Sequence, residues 1–161
     1  MDTPKGKGDT EGMTKKIRIG VDIGRVIIGG SGGDGVGLFK GDYRKTPEIP
    51  DAIRSVASLN ERYEVWLLSK CKVETQEKIV LWLAGQDFHE RTGMPVNRIL
   101  FCLQRPEKAG IAEAHGFKIF IDDREDIIDS MDGIVDHPIL FTSWENTNNI
   151  IEEIERSIDP V

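Results

Sequence analysis

Residues 16–27 read KIRIGVDIGRVI: a short run rich in β-branched residues that ends on an acid, Asp22, two residues before a glycine, Gly24. Three comparable runs follow, 64–69 (EVWLLS), 98–103 (RILFCL) and 118–122 (KIFID), with 139–142 (ILFT) as a shorter fifth. Near-continuous apolar strands of this kind are buried on both faces of a parallel sheet. The stretches between them carry helical spacing. Residues 49–62 open with the start signal Pro50-Asp51 and place Ile53, Val56, Ala57 and Leu59 on one side. Residues 74–84 set Ile79, Val80, Leu81, Trp82 and Leu83 before a stop at Gly85. A third helix is predicted over 107–115, ending at Gly116, and a fourth over 149–158. Strands alternating with helices predict an α/β fold: a three-layer sandwich around a mostly parallel, Rossmann-like five-stranded sheet. In such sheets ligands bind at the carboxyl ends of the strands. Those ends carry Asp22, Ser69, Gln104 with Arg105, Asp122 with Asp123, and Ser143.

At 161 residues and 39% apolar content, the chain is sized for one α/β domain over 16–161, with no need of a disulfide or structural metal. Residues 1–15 hold almost no apolar side chains and are expected to form a disordered tail, native or appended. Cys71 and Cys102 lack any metal-ligand or CxxC spacing and read as reduced thiols. No apolar stretch is long enough for a membrane span, and the N-terminus lacks a signal-peptide core, so a cytoplasmic protein without a membrane partner is expected. The net charge of −7 is uneven: residues 122–161 hold 12 acids and 2 bases, which leaves 1–121 at +3. This balance argues against a broad nucleic-acid surface but leaves a local basic patch, and hence a phosphorylated nucleic-acid end, open. Eight of the 17 glycines fall between Gly24 and Gly41, a density that no regular helix or long strand supports.

The strand ends suggest the chemistry. Asp22, Ser69 and the Asp122–Asp123 pair would meet at one rim, with Lys108 at the start of the helix leading into the Asp122 strand. Converging carboxylates repel unless a cation joins them, and hard oxygen ligands suit Mg²⁺. A carboxylate beside a divalent cation, a hydroxyl and a lysine are the parts of a phosphoryl-transfer site.

In these features the sequence resembles the haloacid dehalogenase superfamily, from Lys16 to about Glu155. Asp22-Ile23-Gly24-Arg25-Val26-Ile27 resembles the first motif and Leu68-Ser69 the second. Lys108 stands for the third-motif lysine, and Ile121-Asp122-Asp123 is similar to the double-Asp form of the fourth. The resemblance implies an aspartyl-phosphate on Asp22, and Mg²⁺ held by Asp22, Asp122, Asp123 and the Gly24 carbonyl. It also implies phosphoryl oxygens held by Ser69 and Lys108, with Lys70 or Lys118 as substitutes for that lysine and Arg25 within reach of a substrate phosphate. In place of a cap domain, 29–41 would form a short Gly-rich flap over a comparatively open site. The implied substrate is a phosphorylated small molecule or a nucleotide.

One position departs from the pattern. Family phosphatases usually carry a second Asp two residues after the nucleophile, where it protonates the leaving group; here that position is Gly24. General acid catalysis contributes roughly 10²–10⁴-fold, or about 3–5 kcal/mol of barrier. Substrates would therefore be restricted to activated leaving groups: acyl phosphates, phosphoanhydrides or aryl esters. The alternative is a protein that keeps the Mg²⁺ and phosphoryl site for binding or regulation without turnover. Dehalogenation is disfavoured, because the dehalogenases lack the acidic pair seen at Asp122 and Asp123.

Two other readings compete for the same residues. Ile19-Gly20-Val21-Asp22-Ile23-Gly24 also resembles the first phosphate segment of sugar kinases in the actin-like ATPase superfamily. That fold needs two such domains and gives Ser69, Lys108 and the acidic pair no role. Gly30-Ser31-Gly32-Gly33-Asp34-Gly35 satisfies the dinucleotide pattern GxGxxG, yet no helix opens after it before Pro50. Trp66, Trp82 and Trp144 read as core residues, His89, His115 and His137 as surface or loop residues, and Cys71 as an inert thiol bordering the site. Asp126 is a candidate to support the acidic pair from behind, among acids that otherwise read as a solvated face.

Overall fold

A computed structural model describes residues 16–29 and 42–158. The expected tail over 1–15 lies outside the described residues, as does all of the expected flap except Gly29. Five strands form one wholly parallel sheet: β1 (Arg18–Val21), β2 (Glu64–Lys70), β3 (Ile99–Cys102), β4 (Phe117–Asp122) and β5 (His137–Leu140). Their spatial order is β3-β2-β1-β4-β5, so β1 is central and the chain crosses over it after β3. In register, Val21 faces Leu67 on one side and Ile121 on the other. The reversal of strand order at β1 leaves a crevice outside the carboxyl ends of β1, β2 and β4, where ligands bind in open α/β sheets.

Helices cover both faces. On one, α1 (Ala52–Arg62), α2 (Val73–Gly85), α3 (Phe88–Thr92) and α6 (Trp144–Ile158) bury Val56, Leu59, Ile79, Trp82, Trp144 and Ile151 against Ile19, Val21, Leu67 and Ile121. On the other, α4 (Glu107–His115) and α5 (Glu125–Ser130) close over Leu68, Phe117 and Phe120. Gly20 sits beneath that second layer. A Cβ there would lie 2.5 Å from the Phe117 ring and 2.6 Å from Phe120, so the two aromatic rings pack directly on the β1 backbone.

The differences from the sequence reading have local causes. Helix α1 starts at Ala52, because Asp51 adopts a left-handed conformation (φ 68°) and does not cap; Glu48 instead accepts the Ile53 N–H at 3.0 Å. Helix α6 begins five residues before Asn149, since Ser143 Oγ accepts the Asn146 N–H at 3.0 Å and so serves as its cap. Strand β5 lies two residues earlier than expected and contains Pro138, which an edge strand tolerates. Helices α3 and α5 are additions. Trp82 and Trp144 are core residues, while Trp66 is half-buried beneath the Arg18 guanidinium, 5.3 Å from its ring centroid. Among the described residues no helix is long and apolar enough to cross a membrane.

The segment after β1 is held unusually well for a turn. Ile23, Val26, Ile27 and Ile28 are fully buried, the Ile23 carbonyl accepts the Ile27 and Ile28 N–H groups, and Trp144 Nε1 donates to the Val26 carbonyl at 2.8 Å. Asp22 is therefore carried on a fixed backbone.

Candidate active site

Asp22 follows Gly20, and Asp122 follows Phe120, at the two-residue spacing of one strand face. Both carboxylates thus emerge into the layer that carries α4. The approach to α4 is fixed by Glu107, whose Oε1 accepts the N–H groups of Leu103 (3.0 Å) and Gln104 (2.9 Å). The next residue, Lys108, turns inward and is only 3% exposed. Its Nζ donates to Asp22 Oδ1 at 3.0 Å and to Asp122 Oδ2 at 2.8 Å, 5.9 Å from the centroid of Phe120. The other Asp122 oxygen accepts the Arg124 N–H at 3.0 Å, and Asp122 is fully buried.

The electrostatics follow from this burial. Desolvation pushes the Asp22 carboxyl up to about 8; Lys108 opposes the rise, while Asp122 and Asp123 add to it. Asp122 is also raised by burial, again against Lys108. For Lys108, burial works against the ammonium, yet the two carboxylates outweigh it and hold its pKa above the ordinary lysine value. One lysine is therefore not enough cation for three neighbouring acids.

A divalent ion fits that imbalance. One oxygen from each of Asp22, Asp122 and Asp123 lies within 4.8 Å of the other two. Opposite ligands of an octahedral Mg²⁺, at about 2.0–2.1 Å, stand about 4.2 Å apart. Adjacent ligands stand about 2.9 Å apart, so the three carboxylates would draw together around one ion.

These groups open onto a cleft of about 380 Å³ at the carboxyl ends of β1, β2 and β4. Ser69, 5% exposed at the end of β2, lines it, as do Gly24, Arg25 and Lys70. The structure thus brings Asp22, Gly24, Arg25, Ser69, Lys70, Lys108 and Asp123 to one cavity, with Asp122 directly behind Lys108. Arg25 is a half-buried cleft residue in a left-handed conformation (φ 63°) rather than a plain surface arginine. Lys118, the alternative lysine, is instead paired with Asp136 at 2.8 Å.

Other candidates fall elsewhere. Asp126 is exposed, binds Arg124 at 3.1 Å and accepts the Ile127 N–H, so it reaches Asp122 only through Arg124. Ser143 caps α6, and His89 Nδ1 contacts the Met94 carbonyl. Cys71 borders the cleft, and burial raises its thiol above the usual cysteine range, which suits an inert neighbour. Arg105, placed at a strand end from sequence but given no role, lines the cleft too, as do Lys72 and Arg124, which sequence reasoning passed over. The available signal was their position within three residues of strand ends.

No family model matches the chain, and no curated protein does. Solved structures do match, among them a protein from Burkholderia xenovorans LB400 assigned as a haloacid dehalogenase-like hydrolase. The match has a TM-score of 0.41 and 18% identity, and covers 53% of this chain and 39% of the other. The chain thus spans well under half the length of that protein.

Proposed function

We propose that the chain is a Mg²⁺-dependent phosphohydrolase or phosphotransferase of the haloacid dehalogenase type, acting through an aspartyl-phosphate on Asp22. The observation that carries this reading is the Lys108 bridge between Asp22 and Asp122, with Asp123 completing a three-carboxylate cluster at the sheet's switch point. Asp22 attacks phosphorus. Lys108 and Ser69 hold the phosphoryl oxygens, joined by Arg25 at the mouth. Asp22, the Gly24 carbonyl, Asp122 and Asp123 hold the ion, which supplies charge neutralisation for the transferring group. The substrate is a phosphorylated small molecule or nucleotide whose leaving group departs without a proton, because Gly24 offers none.

The test is Mg²⁺-dependent hydrolysis of acetyl phosphate and 4-nitrophenyl phosphate by the full chain. Asp22→Asn is expected to lower kcat by about a thousandfold or more, as loss of a covalent nucleophile does. Turnover that survives this change would sink the covalent mechanism. Gly24 favours a second reading, a Mg²⁺ and phospho-ligand binding protein in a regulatory role. Tight binding of a phosphate mimic, with no hydrolysis of either activated substrate, would select it.

A further inference from the structure

The chain carries a net charge of −7, yet its candidate active-site cleft is lined by six cations, Arg25, Lys70, Lys72, Arg105, Lys108 and Arg124, against two carboxylates, Asp22 and Asp123. Three of the six have visible work. Lys108 is committed to Asp22 and Asp122, Arg124 is paired with Asp126, and Arg25 stands on the clamped turn beside the nucleophile. The other three are exposed side chains that form no ion pair among the described residues. Lys70 and Lys72 come from the end of β2 and the loop into α2, and Arg105 from the loop between β3 and α4. Unpaired like charges gathered on one cleft repel each other and focus a field that attracts an anion.

We propose that Lys70, Lys72 and Arg105 receive the leaving group of a phosphoanhydride, so that the substrate is a di- or triphosphate compound. The proposal rests on the phosphoryl-transfer reading above and narrows its substrate class. An alkoxide leaving group needs a proton, and Gly24 has none to give. An acetate or a phenolate leaves without one but presents a single charge. A departing phosphate needs no proton and carries two or more negative charges, so it alone uses both the missing acid and the three rim cations. An Asp22 oxygen bonds to the terminal phosphorus as the bridging P–O bond breaks. The bridging oxygen keeps the electron pair and departs on the shortened phosphate, whose charge the rim neutralises. Water then attacks the aspartyl-phosphate phosphorus, the bond to Asp22 breaks, and the water's proton passes to the released phosphate.

The experiment separates binding from turnover. Calorimetric titration of the full chain in Mg²⁺ compares methylenediphosphonate, which cannot be hydrolysed, with methylphosphonate. The bisphosphonate is expected to bind at least about tenfold tighter, as charge-assisted hydrogen bonds to a second phosphoryl group provide. The Lys72→Ala/Arg105→Ala double variant is expected to lose most of that preference. The ratio of kcat/KM for ADP over 4-nitrophenyl phosphate is expected to fall by about tenfold in the same variant. Equal affinity for the two phosphonates, or a preference and ratio that survive the double substitution, overturns the inference and leaves the Asp22 chemistry standing. A rim-dependent preference with no turnover of ADP, acetyl phosphate or 4-nitrophenyl phosphate overturns the phosphoryl-transfer reading, and the leaving-group step with it.

Discussion

On the floor of the cleft, Lys108 is 3% exposed and bridges two buried carboxylates, whereas at the rim Lys70, Lys72 and Arg105 stand in solvent without an ion pair among the described residues. The two regions use the same residue types under opposite conditions. On the floor, desolvation makes each charge depend on its neighbours, so geometry and ionisation are tied together. At the rim, water screens every charge and holds none in place. Buried charges of the first kind suit bond making; exposed charges of the second kind suit recognition of an arriving anion.

The contrast is broken most directly at Lys108. After the loss expected for Asp22→Asn, the largest effect is expected from Lys108→Met, which removes the cation that bridges Asp22 and Asp122. Breaking a buried pair in this way costs about 3–5 kcal/mol, read as a lower denaturation midpoint in urea. The deficit is expected to shrink as pH falls, because protonating the two stranded carboxylates relieves it. An unchanged midpoint at neutral pH would mean that Lys108 is not a structural partner of these acids.

Gly24→Asp tests the floor from the chemical side. Placing a proton donor two residues after Asp22, the proposed nucleophile, is expected to raise turnover of alkyl phosphates by about tenfold or more. A variant that stays inert on alkyl esters while binding Mg²⁺ normally would show that the missing acid is not limiting.

A smaller, graded effect is expected with pH. Asp22 is raised from the usual carboxylate range to about 8 in the folded chain. Between those values the native state binds more protons than the unfolded state, so stability is lost as pH rises through the window. In the absence of metal, the thermal midpoint is therefore expected to fall relative to the Asp22→Asn variant as pH rises from about 4 to 8. Mg²⁺ is expected to reverse the decline by stabilising the ionised acids. Parallel pH curves for the two proteins would contradict the burial argument. The smallest effect belongs to the rim: Lys72→Ala is expected to change unfolding free energy by less than about 0.5 kcal/mol. A large loss there would mean that the rim is structural and would erase the distinction between the two regions.

How much of this was legible depended on the signal each element leaves in sequence. Four strands announced themselves as apolar runs. Helix α4 was bounded by a charged start and by Gly116, whose φ of 69° is the left-handed stop that glycine favours. Helix α5 was hidden, because its six residues, EDIIDS, include only two apolar ones and read as an acidic surface; Ile127 is buried where the helix packs on β4 and β5. Asp51 looked like a cap and is not one, since the chain enters α1 in a left-handed turn and Glu48 supplies the acceptor.

The candidate site divides in the same way. Asp22, Ser69, Asp122 and Asp123 could be singled out from sequence because strand ends in a parallel sheet share one edge, a rule that depends only on strand order and direction. The sequence by itself also determined that position 24, two residues after Asp22, is a glycine with no proton to donate, and that the charge of the chain is uneven. Only the tertiary structure decided that Lys108, 86 positions from Asp22, is the lysine between the two acids, and that Lys72 and Arg105 share their cleft. The physical reason is that burial and pairing of a charge are set by the elements that pack across it, here β1, β4 and α4, whereas a lone lysine in a loop has no periodicity to reveal what it faces.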